Sequence, residues 1–138
     1  MLASAALVVV LAAGCGGGSP SPESVVRAWS KALNAGDNEG AADLFATGAE
    51  VVQGTSVVHF RSHSEAVAWN AGLPCSGRIV SLTRDGPTVS ATFLLGDRAA
   101  SPCDAPGQTA KAVFRIRDGK IVLWHQIGGQ APEQAPTV

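Results

Sequence analysis

Residues 109–127 read TAKAVFRIRDGKIVLWHQI, and the Asp118-Gly119 step inside them decides the fold. Apolar and polar residues alternate on both sides of that step, the period of a β-strand, and Asp-Gly supplies the positive φ angles that a tight hairpin needs. A two-residue loop also sets the register. Arg117 faces Lys120, and Ile116, Phe114 and Ala112 face Ile121, Leu123 and His125. Strict alternation then gives one apolar face of Ala112, Phe114, Ile116, Ile121, Leu123 and Ile127, which also carries His125. The other face carries Val113, Arg115, Arg117, Lys120, Val122, Trp124 and Gln126.

The same period extends back to Arg78, with strands expected at 78–84 and 88–96 around an Asp85-Gly86 turn. Before residue 75 the period is helical. Ser21-Pro22-Glu23 combines an N-cap, a proline at the first turn and an acid near the positive end of the dipole. Val25, Val26, Trp29, Ala32 and Leu33 follow at helical spacing until Gly36. Asp37 caps a shorter helix with Ala41, Leu44 and Phe45, and Ser62-x-x-Glu65 has capping-box spacing before a third. Val51-Val52 and Val57-Val58 read as short strands around Gly54-Thr55. Three helices followed by a meander of long strands predict an α+β domain, with the helices on one face of a mostly antiparallel sheet.

The N-terminus reads differently. Residues 2–13, LASAALVVVLAA, form an uncharged apolar run, shorter than the roughly twenty residues a membrane-spanning helix needs but suited to an export signal. Ala12-Ala13-Gly14-Cys15 resembles the lipobox of bacterial lipoproteins, in which the cysteine thiol is lipidated and becomes the mature N-terminus. No Lys or Arg precedes the run, which departs from the usual signal. GGGSPSP then reads as a flexible tether. The expected organisation is a signal peptide at 1–14, lipidated Cys15 and tether at 15–22, a folded domain at 23–127 and a disordered tail at 128–138. That places the domain on the outer face of the plasma membrane, held by its lipid.

The run VVRAWSKALNAGDNEGAADLFATGAEVV (25–52), together with FRIRDGKIV (114–122), resembles the NTF2-like superfamily, which includes SnoaL-like cyclases and ketosteroid isomerases. The resemblance spans nearly the whole domain and implies a cone, with about three N-terminal helices on a curved sheet and a cavity open at one end. In the isomerases that cavity holds a tyrosine, a general-base aspartate and a protonated aspartate. Those places fall on Trp29, Gln53 and Ala112. Glutamine cannot take a proton from carbon, and alanine cannot donate a hydrogen bond to an enolate oxygen, so isomerase chemistry is not expected.

Little else in the chain suggests catalysis. The acids fall mostly at helix starts and turns, and Glu39, Asp43 and Glu50 read as solvated positions. No nucleophile elbow, zinc-protease, paired-cysteine or phosphate-loop spacing occurs. His59 and His63 are four apart but straddle a strand and a helix, so no metal site and no cofactor is expected. A net charge of −1 with scattered basic residues argues against a nucleic-acid partner. Cys75 and Cys103 remain as thiols outside the cytoplasm, at one end of the 78–96 hairpin, and are expected to oxidise to a disulfide.

Three functions fit these readings. The first is a non-catalytic, membrane-anchored domain whose cavity takes a small apolar molecule, with His125 and Gln53 orienting it and Trp29, Phe114 and Ala112 as apolar walls. The second is an accessory protein-interaction module of the cell envelope, with a cavity filled by its own side chains; Arg115 and Arg117, on the opposite sheet face, read as a solvated face or part of a homodimer interface formed through the sheet. The third is a SnoaL-like cyclase or hydrolase with an unrecognised site. The balance leans away from an enzyme.

Overall fold

The computed structural model describes residues 18–128; the apolar run, Cys15 and the tail from 129 lie outside the described residues. The elements run α1 (Pro22–Asn34), α2 (Asn38–Asp43), β1 (Phe45–Gln53), β2 (Ser56–His59), α3 (His63–Gly72), β3 (Cys75–Asp85), β4 (Thr88–Asp97), β5 (Thr109–Arg117) and β6 (Lys120–Ile127). Among the described residues no helix is long and apolar enough to cross a membrane.

The helix starts are capped as their sequences specify. Ser21 Oγ accepts from the Ser24 amide at 3.2 Å and Asp37 Oδ1 from Gly40 at 2.9 Å. At α3, Ser62 Oγ accepts from the Glu65 amide, while the Glu65 carboxylate reaches back to the Arg61 amide, one residue beyond the usual capping-box partner. Phe45 corrects the sequence reading: it begins β1 rather than ending the second helix. The Ile121 amide donates to the Leu44 carbonyl at 2.8 Å, so the chain is drawn to β6 once the six-residue α2 has ended.

One six-stranded sheet has the order β2-β1-β6-β5-β4-β3. Its pairings are antiparallel except β1 with β6, which run parallel. Register shifts interrupt β1 between Phe45 and Glu50, β3 between Ile79 and Ser81, and the β5–β6 ladder between Arg115 and Ile116. Such irregularities bend strands and raise their twist, which curves the sheet around the helices. At the first of them Gly48 has φ 79°, a left-handed conformation glycine adopts without strain.

The third shift overturns the strict register of the 109–127 hairpin. Arg117 pairs Lys120 and Ile116 pairs Ile121 as expected, with Asp118 at φ 51° and Gly119 at φ 72° in the turn. Beyond that point β6 carries one extra residue: Arg115 pairs Leu123, Phe114 pairs Trp124, Val113 pairs His125 and Ala112 pairs Gln126. Trp124 is thereby buried, and His125 lies exposed on the other face. The physical reason is area. An indole buries far more apolar surface than an imidazole, and a bulge is a small local cost against it.

All three tryptophans and all four phenylalanines of the chain join in one edge-to-face network. It runs from Phe60 and Phe45 through Trp69 to Trp124, then to Trp29, Phe93 and Phe114. These rings fill the middle of the space between helices and sheet. A more polar cavity lies between α2, β1 and α3 beside Phe45, Phe60 and His63, and a mostly apolar one remains at one end of the space.

Candidate ligand-binding cavity

That end is where β3 and β5 begin and β4 and β6 finish. Trp29 and Leu33 project into it from α1, Phe93 and Leu95 from β4, Ala110 and Ala112 from β5, and Trp124 from β6. Leu73, Pro74 and Cys75 close one side. Ser76, Asp104, Lys111 and Gln126 supply the polar side chains of the lining. The cavity is open to one side and has a volume of about 120 Å³.

The walls are held by hydrogen bonds that keep the aromatic rings in place. Trp29 Nε1 donates to Asn70 Oδ1 at 2.9 Å, and Asn70, fully buried, donates from Nδ2 to the Ala66 carbonyl at 2.8 Å. Trp29 then meets Phe93 at 5.9 Å, Phe114 at 5.5 Å and Trp124 at 6.2 Å between ring centroids. Gly77 is clamped to α1: its carbonyl accepts from Ser30 Oγ at 2.8 Å and Asn34 Nδ2 at 2.9 Å, and its amide donates to Asn34 Oδ1 at 2.8 Å. A Cβ at Gly77 would stand 3.1 Å from two atoms of Phe93, so glycine lets this strand approach the wall.

Arg98 secures the side behind Leu73. Its guanidinium is buried and donates from Nη1 to the Asn70 and Leu73 carbonyls and from Nη2 to Asn38 Oδ1. The partial negative charge of carbonyls at the end of α3 takes the place of an acid. Burial lowers its pKa from the ordinary arginine value, but arginine stays protonated in proteins. The Cys75–Cys103 disulfide, as expected from the sequence, staples the loop after β4 to the start of β3. The Cys103 amide donates to Asp97 Oδ1 at 2.8 Å on the same loop.

The five residues expected to form the site are distributed unequally. Trp29 and Ala112 line the cavity. Phe114 is fully buried and backs Trp29 from below. Gln53 stands one layer away, accepting from Trp69 Nε1 at 3.2 Å and approaching Gln126 Oε1 at 3.5 Å. His125 does not enter the site: it sits opposite Val113 on the exposed face. Gln126 holds the place opposite Ala112 that strict alternation gives to His125. Sequence reasoning missed Gln126, Asn70 and Arg98. The signal for the first is the run Ile121-Val122-Leu123-Trp124, four consecutive apolar residues in which period two breaks.

The arrangement offers shape and apolar contact, with Asp104 and Lys111 as the ionisable side chains of its lining. Asp104 is the carboxylate of the lining, and it is exposed. Cys75, Cys103 and Asp104 cluster closely, but sulfurs joined in a disulfide offer no thiolate to a metal. The histidines near the helices go to separate partners. His63 lies 2.7 Å from Glu39 and 3.5 Å from Asp43 through different ring nitrogens, and His59 lies 3.3 Å from Glu50. All are substantially exposed, where such pairs contribute about 1 kcal/mol or less.

The sequence model of the SnoaL-like domain family matches residues 26–124. No curated protein matches the chain. Among solved structures, an NTF2-like protein of unknown function from Cytophaga hutchinsonii superposes with a TM-score of 0.66 at 12% identity, covering 84% of this chain and 96% of its own. A putative polyketide cyclase from Sinorhizobium meliloti gives 0.59 at 20% identity, covering 75% and 94%. A hypothetical protein with a ketosteroid isomerase-like fold from Catenulispora acidiphila, in complex with trimethylamine, gives 0.62 at 18% identity, covering 83% and 89%. At these identities the likeness is one of fold.

Proposed function

This chain belongs to the SnoaL-like domain family of NTF2-like folds, and from that premise we propose a non-catalytic binding domain, lipid-anchored at Cys15 outside the cytoplasm, that holds a small apolar molecule at the open end of its cone. One observation carries the reading: the cavity is walled by Trp29, Phe93 and Trp124, with its polar side chains being Ser76, Asp104, Lys111 and Gln126. Binding sites are built this way, with apolar walls supplying affinity and a few polar groups setting orientation. The volume of about 120 Å³ sets the scale of the ligand. Drug-sized ligands occupy roughly 300–1,000 Å³, whereas an apolar cavity of about 150 Å³ holds a benzene. A single ring or a short branched chain fits; a steroid or a polycyclic polyketide does not. The trimethylamine bound to one structural neighbour is of the same small size.

Catalysis is not supported, because a general acid and base would have to converge on a bound molecule. The isomerase places carry Trp29, Gln53 and Ala112 here, and no histidine lines the cavity. The test is a titration of the oxidised domain with toluene and with a steroid, followed by methyl NMR. Toluene shifts the Leu33, Leu95, Ala110 and Ala112 methyls, and the steroid leaves them in place. If toluene at saturation moves none of these methyls, the binding reading is lost.

The interaction-module reading retains one observation. Val57 and Val58 are successive, 55% and 41% exposed, and lie on β2, an edge strand of the sheet. Exposed apolar edges invite pairing with another chain.

A further inference from the structure

The tether and the cavity lie at opposite ends of the sheet. Pro20, the last tether residue but one before α1, packs on the β5–β6 turn: its Cδ lies 2.8 Å from where a Cβ on Gly119 would stand. The start of α1 is fixed at the same end, since Glu23 Oε1 lies 3.0 Å from Arg84 Nη1, just before the β3–β4 turn. The cavity is lined at the other end of these strands, by Ser76 of β3, Leu95 of β4, Lys111 of β5 and Gln126 of β6. From Arg117 back to Lys111 is six strand steps, about 20 Å. From Pro20 back to Cys15 is five residues, at most about 18 Å when fully extended.

From this geometry we infer that the cavity mouth faces away from the membrane, and that its ligand is a water-borne small apolar molecule rather than a bilayer lipid. The inference rests on the lipid-anchor reading of Cys15. A tether that leaves the domain at the Gly119 turn holds that turn near the headgroups. Five residues are too few to carry the acyl-bearing end around to the mouth. A ligand coming from the acyl layer would have to cross water along the whole sheet, so the aqueous side supplies it.

The test uses the full lipidated, oxidised protein in phosphatidylcholine vesicles bearing a headgroup nitroxide. With Cys15 acylated and Cys75 joined to Cys103, a cysteine introduced by Asp118→Cys or Lys111→Cys is the reactive thiol that takes a fluorophore. The label at 118 is quenched several-fold more than the label at 111, while a water-soluble quencher reaches the label at 111 freely. Equal quenching, or stronger quenching at 111, overturns the inference with the anchor intact. Protein that remains with the aqueous fraction overturns the anchor reading, and the inference with it.

Discussion

Trp29 Nε1 donates to Asn70 Oδ1 at 2.9 Å, a bond between α1 and α3 spanning 41 residues of chain with both partners buried. It fixes one of the aromatic rings that wall the cavity. The third tryptophan is the contrast, because among the described residues Trp124 Nε1 is buried without a hydrogen-bond partner, its ring edge-on to Trp69 at 4.9 Å. The core tolerates one orphaned indole, and Asn70 prevents a second.

Replacing Asn70 with Leu strands the Trp29 donor, so the domain should lose about 1–3 kcal/mol of stability, the cost of a buried unsatisfied polar group. Trp29→Phe in the same background removes the stranded donor. Urea unfolding of the four members of the cycle should show the Asn70→Leu penalty shrinking when position 29 is Phe. A penalty that is unchanged would mean that Asn70 acts through its bond to Ala66 alone.

Arg98→Met leaves the Asn70 and Leu73 carbonyls at the end of α3 without their shared donor. Charge-assisted hydrogen bonds of this kind carry the expected loss to about 2–3 kcal/mol. Burial depresses the arginine pKa, so the unfolded chain holds that proton more tightly and any resulting gain in stability comes as pH rises toward the ordinary arginine pKa. The difference between wild type and Arg98→Met should therefore stay flat from about pH 5 to 9. A slope in that window assigns the loss to some other titrating group.

The Cys75–Cys103 bond closes a loop of 28 residues and forms part of the cavity wall. On the chain-entropy account its removal by Cys75→Ala with Cys103→Ala costs about 3–4 kcal/mol. Peptide mapping of the purified protein without reductant should recover the linked pair. Two freely alkylated thiols would dismiss the bond.

Most of the fold was legible because its signals are local. Caps at Ser21, Asp37 and Ser62, turns at Gly86 and Gly119, and alternation in β4 and β5 each name an element without knowledge of its neighbours. The site was less legible, because it depends on where alternation fails. The extra residue in β6 exchanges His125 for Gln126 at the cavity and brings Trp124 inward, and a bulge is chosen by the whole core rather than by its own sequence. Arg98 and Asn70 escaped for a related reason: each meets partners distant in sequence, and neither sits in a recognisable motif.

The position of His125 gives the last prediction. Had it faced the cavity, binding of an apolar ligand would weaken on imidazole protonation, since a charged group beside the ligand is costly to bury. It faces outward opposite Val113, so His125→Phe should leave toluene affinity unchanged at every pH from about 5 to 8. Ala112→Phe should abolish that affinity, because a phenyl ring at this lining position occupies the space the ligand needs. A thermal melt of Ala112→Phe without ligand separates this blockade from unfolding, and an overpacking cost of about 1–3 kcal/mol leaves the transition cooperative. The paired titrations decide between the two registers of β6. A His125→Phe protein that gained affinity at low pH while Ala112→Phe still bound would return His125 to the site.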